Sequence, residues 1–524
     1  MKKLFVSMQR FGDLFTHFQI INQELASNPN DEIHVLTNFE NRPAIKILSP
    51  RIKWHFFKHK DWGSAWANPM IPRANVLSQL NDLLKDLNVI RFDSVYNLTH
   101  TQLAAKICGQ IKAQSKFGIS VEHGLAIYSH PAWGRFANTQ LSRNQKIPFH
   151  SLEILAKANG LPVPKPPIAK VNDANTIVLQ VTSSEAKKTV DFEIWQSVIQ
   201  NLKSQGYKVQ VLSTDTESTT LAPVFGSDLL IGEFSDFAEA IKGAKILVSV
   251  DTALLHLSAL LAVPSVAIYL GSGNAYTNFP YIAGARVLVP TSECYPCSHS
   301  VACPYQIRKC AETLNIENLA QFIVDTGARV SAMNRFFTQI INSELNILSM
   351  EDSMNTVQIE RSISRAVWDM FLNKSYQEEV APYGSFANRI ADDVIDRHFI
   401  LRTMLNRSSD ALKWIEEFQQ QIKTLHSFIL NPQANSFDQF ESQRDSLTAK
   451  FEVFEKSFPE FQDESANLKF TMTKKHDSAF AFYRNAKDSC SELETLLSIR
   501  VTLLSKAIMA VNEKMEAKNL CLKN

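Results

Sequence analysis

The feature that most constrains this chain is an alternation of short apolar runs with amphipathic helical patterns, repeated on either side of a proline-dense break. The first series holds KLFVSM (Lys3 to Met8), EIHVLT (Glu32 to Thr37), IKWHFF (Ile52 to Phe57) and DSVYNL (Asp93 to Leu98). Between them lie segments such as NVLSQLNDLLKDL, whose apolar residues recur at helical spacing. The break is GLPVPKPPIAK (Gly160 to Lys170), where prolines can continue neither a helix nor a central strand. The series restarts with TIVLQV (Thr176 to Val181), YKVQVL (Tyr207 to Leu212), KILVSV (Lys245 to Val250) and PSVAIYL (Pro264 to Leu270). Strand alternating with helix predicts an α/β fold with parallel sheets covered on both faces. Two such Rossmann-like halves, residues 1–160 and 161–330, would face each other across a cleft at the carboxyl ends of their strands, where ligands of these folds bind.

Beyond about Ser331 the expectation changes to an all-α region, residues 331–524. Apolar residues step by three and four in Ile415, Phe418, Ile422, Leu425 and Ile429, and again from Leu497 through Val501, Leu504, Ile508 and Val511 to Met515. Pro432 and Pro459 divide this tail into several helices. It reads as a bundle packing on itself or on the body of the protein; the alternative is a surface for self-association or partner docking.

Charge excludes one class of function. Lys and Arg number 54 against 53 Asp and Glu, without the basic excess with which nucleic-acid binders meet phosphates. The start lacks a secretory apolar core, because Gln9, Arg10 and Asp13 interrupt it, and no run of apolar residues is long enough to span a bilayer. The expected location is the cytoplasm, with peripheral attachment at the inner face of the membrane as its variant.

Four places could carry chemistry. Arg10-Phe11-Gly12-Asp13 follows the first strand and opens a helix; Asp13 there is either a general base aimed into the cleft or a helix cap. Ser249 to His256 follows a buried strand and opens the helix LLHLSALLAV, so the N–H groups near Asp251, Thr252 and Ala253 form an anion site suited to a diphosphate. The bland alternatives are a plain N-cap and, for His256, a satisfied core histidine. At the end of the first strand of the second half, Ser183 and Ser184 stand near Lys187 and Lys188, a hydroxyl and ammonium set that suits phosphate or is a solvated loop. Cys294, Cys297, Cys303 and Cys310 supply four thiols in one loop, sufficient for a closed, structural zinc or iron site; the alternative is reduced cysteines without a ligand role.

These residues, taken in order, resemble glycosyltransferase family 9, the ADP-heptose heptosyltransferases of lipopolysaccharide synthesis and their protein-modifying relatives. Arg10 to Leu14 resembles the family's R-x-G-D opening, Asp93 to Leu98 its D-x-x-x-D-L strand, Ser249 to Leu257 its N-D-T-G-x-x-H-L segment, and Pro264 to Tyr281 the strand and P-Y loop that follow. Cys294-Tyr295-Pro296-Cys297 through Cys303-Pro304 is similar to a C-x-P-C…C-P run found after that loop. The resemblance covers about residues 1 to 325. It implies a GT-B architecture and an inverting transfer with no catalytic metal, in which Asp13 deprotonates the acceptor hydroxyl. It places Lys188, Ser183, Ser184, Asp251, Thr252, Ala253 and His256 around the donor diphosphate, and Glu217 near the nucleotide ribose. ADP-heptose is the implied donor and a saccharide or a protein the implied acceptor, with no nucleic-acid partner. The cysteine loop is also similar to that of autotransporter heptosyltransferases, which hold iron. The chain departs from the family near Phe18 and Gln19, where a proline is usual, at Ala253 for glycine, at Asn97 for aspartate, and at Thr189-Val190 after the lysine. The rival class is a non-catalytic protein of the same fold that acts through its helical tail.

Overall fold

The computed structural model describes residues 1–350 apart from short gaps, the longest at 142–147, and farther on mainly 356–373, 398–430, 437–458 and 479–521. The chain forms two compact units: Met1–Gln145 with Phe149–Met350, and Lys146–Pro148 with Glu351–Asn524.

The first unit contains two sheets built by the same rule. Strands β1 (Lys2–Ser7), β2 (Glu32–Asn38), β3 (Lys53–Phe57), β4 (Phe92–Asn97) and β5 (Ala113–Phe117) pair in parallel in the order β3-β2-β1-β4-β5. A short antiparallel hairpin, β6 (Ile119–Glu122) and β7 (Leu125–Tyr128), leaves the carboxyl end of β5. After the proline-dense break come β8 (Thr176–Gln180), β9 (Lys208–Ser213), β10 (Leu229–Ile231), β11 (Ile246–Val250), β12 (Ser265–Ile268) and β13 (Arg286–Pro290), parallel in the order β10-β9-β8-β11-β12-β13. The strand β11, ILVSV, apolar but for Ser249, is buried at every position because helices cover both faces of the sheet. In both sheets the first strand lies in the interior and the order reverses beside it, so β1 and β8 each mark a switch point where side chains following the strand enter a crevice. This is the GT-B arrangement of two Rossmann-like sheets.

The expectation that strands end by residue 330 is corrected. Met333–Ile341 (β14) and Glu344–Ser349 (β15) form a hairpin that extends the second sheet, with β14 antiparallel to β13. Their pattern was obscured by polar residues that find partners only in the folded sheet. Buried Arg335 donates to the Ala328 carbonyl at 2.8 Å, and buried Thr338 accepts from the Ala285 N–H at 2.8 Å. Edge pairing is a tertiary contact, and neither residue reads as a strand core by itself.

One apolar cluster joins the sheets, with Phe15, Ile21, Leu155, Leu254, Leu255 and Tyr281 among its buried members. Polar ties reinforce it. Gln19 donates to the Tyr281 carbonyl at 3.1 Å; the Tyr281 hydroxyl donates to the Pro164 carbonyl at 2.7 Å. Gln19 is therefore a link between the two halves.

In the second unit the helices His398–Leu430 and Ala479–Cys521 pack along each other, and Thr356–Leu372 packs on the latter. Ile415, Phe418 and Ile422 from the expected repeat are buried with Phe451, Phe454 and Leu497. Helices end at Leu430 and Ser457, just before Pro432 and Pro459, which themselves lie outside the described residues.

Candidate active site

The carboxyl end of β1 turns at Arg10 into the helix Phe11–Ser27, and Asp13 is its third residue. Asp13 Oδ2 accepts the backbone N–H of Arg10 at 3.2 Å, so this carboxylate does cap its helix. Capping uses one oxygen and leaves the other for a substrate. Removal from water, partly offset by the Arg10 bond and charge and reinforced by the nearby Asp251 carboxylate, pushes the Asp13 carboxyl up to about 6. Glycine at position 12 fits tightly against what it meets: a Cβ there would lie 3.1 Å from His256 Cδ2 and 3.6 Å from Ala253 Cα. The glycine lets the amino ends of the helices Phe11–Ser27 and Ala253–Leu260 approach face to face.

The opposing helix is capped by Thr252, whose hydroxyl accepts the Leu254 N–H at 3.3 Å and bonds Ser249 Oγ at 3.1 Å. The N–H of Ala253 opens the helix with no intrahelical partner, at the positive end of the dipole. Asp251 stands just before it. Lys188 Nζ, in a buried side chain, donates to Asp251 Oδ2 at 2.9 Å and lies 3.6 Å from Glu185 Oε1. Lys187 shares Glu185 at 3.6 Å but does not reach Asp251: its ammonium donates to the carbonyls of Ser298, His299 and Val301 at 2.7, 3.1 and 3.1 Å. Of the two lysines, Lys188 is the one the fold brings to the helix terminus.

Glu185 was not singled out by sequence, yet it organises this loop. Its carboxylate accepts from Ser272 Oγ at 2.6 Å, bonds His299 Nδ1 at 3.1 Å and lies 3.9 Å from Arg10 Nη1 of the first half. Burial opposes its charge, but Ser272, Lys188 and His299 overcome that and hold the carboxyl at about 2. Gly273 was missed for the same reason: a Cβ there would lie 2.9 Å from Asp251 Oδ2. No local pattern signals either residue, because each is defined by contacts distant in sequence.

The remaining candidates are placed as follows. Ser183 Oγ donates to the Asp251 carbonyl at 3.5 Å, whereas Ser184 is exposed. Glu217 accepts from Thr182 Oγ1 at 2.7 Å and from Thr214 Oγ1 at 2.7 Å, capping the helix Asp215–Phe225 while touching the carboxyl end of β8. His256, half-buried, is held below the usual imidazole range by burial, against the pull of Asp251. Burial, with His100 and His256 as neighbours, takes His17 down to about 3, and His17 Nδ1 bonds Ser7 Oγ at 2.9 Å. His17 and His256 are thus both held below the usual imidazole range by burial. Asn97, where the family has aspartate, is satisfied as an amide: it donates to the Ile119 carbonyl at 2.8 Å and accepts the Thr99 N–H at 2.9 Å.

Cys294, Cys297, Cys303 and Cys310 carry no disulfide. Burial raises the Cys297 thiol, and the other three cysteines raise it further by their charge, so the four share one neighbourhood. Among the described residues, however, no three His, Cys, Asp or Glu side chains form a group that could hold a metal ion. Arg308, a basic residue of this loop, is spent internally on the carbonyls of Ala186 and Thr189 at 2.8 and 2.6 Å and on Asp191 Oδ1 at 2.7 Å. It ties the cysteine loop to the Lys188 loop.

Residues 81–306 match the model of glycosyltransferase family 9 (heptosyltransferase). No curated protein matches. Among solved structures, the chain is similar to the E. coli heptosyltransferase WaaC with ADP at 16% identity and a TM-score of 0.44, covering 62% of this chain and 99% of that one. It is similar to a family 9 glycosyl transferase from Veillonella parvula DSM 2008 at 15% identity and a TM-score of 0.42, covering 55% and 85%. It is also similar to the iron-containing dodecameric glycosyltransferase TibC from enterotoxigenic E. coli H10407 at 13% identity and a TM-score of 0.35, covering 59% and 73%.

Proposed function

We propose that this chain, whose residues 81–306 match the family 9 heptosyltransferase model, is an inverting glycosyltransferase that moves a heptose from ADP-heptose to a hydroxyl of a saccharide or protein acceptor. The observation that supports this reading best is the meeting of Asp13 with the Asp251 to His256 helix terminus, made possible by Gly12. One side supplies a base and the other an anion site. In the proposed step the acceptor hydroxyl gives its proton to Asp13, its oxygen bonds the anomeric carbon from the face opposite the diphosphate, and the sugar to phosphate oxygen bond breaks to release ADP. Lys188, Thr252 and the Ala253 N–H would receive the charge that develops on the leaving diphosphate. His256, kept neutral, would act as a hydrogen-bond partner and not as an acid.

The carboxyl of Asp13 sets the pH dependence. A base with its pKa raised to about 6 is ionised above that value and protonated below it. Transfer from ADP-heptose, measured as kcat/KM, is expected to rise tenfold per pH unit below pH 6 and to level off above it. A profile flat from about pH 5 to pH 8 would remove Asp13 from the role of base. An acceptor glycoside with the donor's anomeric configuration retained would overturn the inverting step.

The cysteine loop enters as a structural element. From the spacing of Cys294, Cys297, Cys303 and Cys310 we propose one tightly bound zinc or iron; as placed, the sulfurs do not converge on a single point, so no step of the reaction is routed through an ion. Elemental analysis of protein purified without an affinity metal is expected to find one equivalent per chain, and its absence would leave these thiols as packing and loop residues.

A further inference from the structure

The carboxyl rim of the first sheet carries apolar side chains that nothing in the first unit covers. The chain leaving β3 forms the helix His59–Ala67, in which Ala65 alone is buried. Trp66 is 47% exposed and stacks on Trp62 with centroids 4.5 Å apart; Met70, just beyond, is 86% exposed. Phe39, at the carboxyl end of β2, is also exposed. Beyond the other edge of the sheet, the hairpin that follows β5 presents Leu125 and Ile127, two residues apart on one strand and so on one face, exposed by 70% and 45%. Because all these segments follow strands of one parallel sheet, they stand on the edge from which Asp13 also emerges.

The cations around the aromatic segment point to the partner. Arg42, Lys58, Lys60 and Arg73 are exposed there, with Lys46 paired 3.6 Å from exposed Glu233, against Asp61 as the exposed acid of residues 39–77. Two of them lie over the exposed rings, Arg42 5.8 Å from the centroid of Phe39 and Arg73 5.1 Å from that of Trp66. This local surplus stands in a chain whose formal charge is only +1. Exposed tryptophan and methionine ringed by lysine and arginine are the chemistry of an interfacial contact with anionic lipid: the rings enter the headgroup layer while the cations stay with the phosphates. Among the described residues no helix is long and apolar enough to cross a membrane.

We propose that this rim docks on the surface of an anionic lipid bilayer through Trp66, Met70 and Leu125, with the surrounding lysines and arginines on the lipid phosphates. Docking would bring the mouth of the Asp13 cleft to the plane of the headgroups, so that an acceptor carried by a lipid is reached without leaving the membrane. The attachment does not depend on the transfer reading, which can fail while docking holds.

The test is co-sedimentation of the full chain with vesicles of phosphatidylcholine alone and of phosphatidylcholine containing about one third phosphatidylglycerol. Binding is expected to the anionic vesicles only and to weaken as salt rises. Trp66→Ala with Met70→Ala should lower the partition coefficient at least about tenfold through lost apolar burial, and Lys58→Glu with Lys60→Glu should lower it while removing most of the salt dependence. None of these surface changes should alter ADP binding, which serves as the check on folding. No binding to anionic vesicles, equal binding to both kinds, or binding indifferent to both pairs of substitutions would each overturn the proposal. A vesicle-independent dimer that the Trp66 and Met70 changes dissolve would do so too, by assigning the patch to a second copy of the chain.

Discussion

Asp13→Asn is expected to lower turnover by roughly 10² to 10⁴-fold, the usual contribution of a positioned general base, while the dissociation constant for ADP stays within a factor of about three. The separation follows from placement. Asp13 sits on the first half, and the groups assigned to the diphosphate are on the second, so losing the base leaves the donor side intact. Asparagine suits the test because its side-chain oxygen can still accept the Arg10 N–H and preserve the cap. Stability provides an independent sign. A carboxyl whose folded pKa is raised makes the ionised native state less favourable, so its cost appears as pH rises from the unfolded value, near 3.8, through about 6. Asp13→Asn should therefore melt higher than the parent at about pH 8 and no higher below about pH 4. Retained turnover in a protein with this stability signature would move the base elsewhere and favour the scaffold reading of the chain.

What the sequence disclosed, and what it hid, divides by the range of the interaction. The two series of strands were legible because burial on both faces writes largely apolar runs, and β11 is apolar at every position but Ser249. Asp13 and Thr252 were legible because caps and strand ends are local. The choice of Lys188 over Lys187 came from the family resemblance; the fold gives it a cause, since Lys187 is spent on three carbonyls of the cysteine loop. Glu185, Gly273 and the hairpin of β14 and β15 stayed hidden, because their roles are set by Ser272, Asp251 and β13, which no periodicity brings together. Glu217 shows the converse. The family resemblance implied a ribose contact, and the fold reveals in addition a local reason for a glutamate, the capping box with Thr214.

Lys188→Ala is expected to weaken ADP binding by roughly 10 to 100-fold, the range that corresponds to losing a charged hydrogen bond at a site largely removed from water. The ammonium has two effects. It is a cation beside the helix terminus, and it neutralises Asp251, whose carboxylate otherwise faces any incoming diphosphate. A second substitution separates the two. If part of the loss comes from an unmasked Asp251, then Lys188→Ala with Asp251→Asn should bind ADP more tightly than Lys188→Ala alone, by several-fold in a double-mutant cycle. If the whole loss is that of the cation, the second change will recover nothing. Lys187→Ala is the control: its ammonium is turned to the Ser298, His299 and Val301 carbonyls, so it should loosen the cysteine loop and leave ADP affinity within about threefold. An ADP dissociation constant unchanged in Lys188→Ala and raised in Lys187→Ala would reverse the assignment of the two lysines and require the Glu185 to Lys188 turn to rearrange when nucleotide binds.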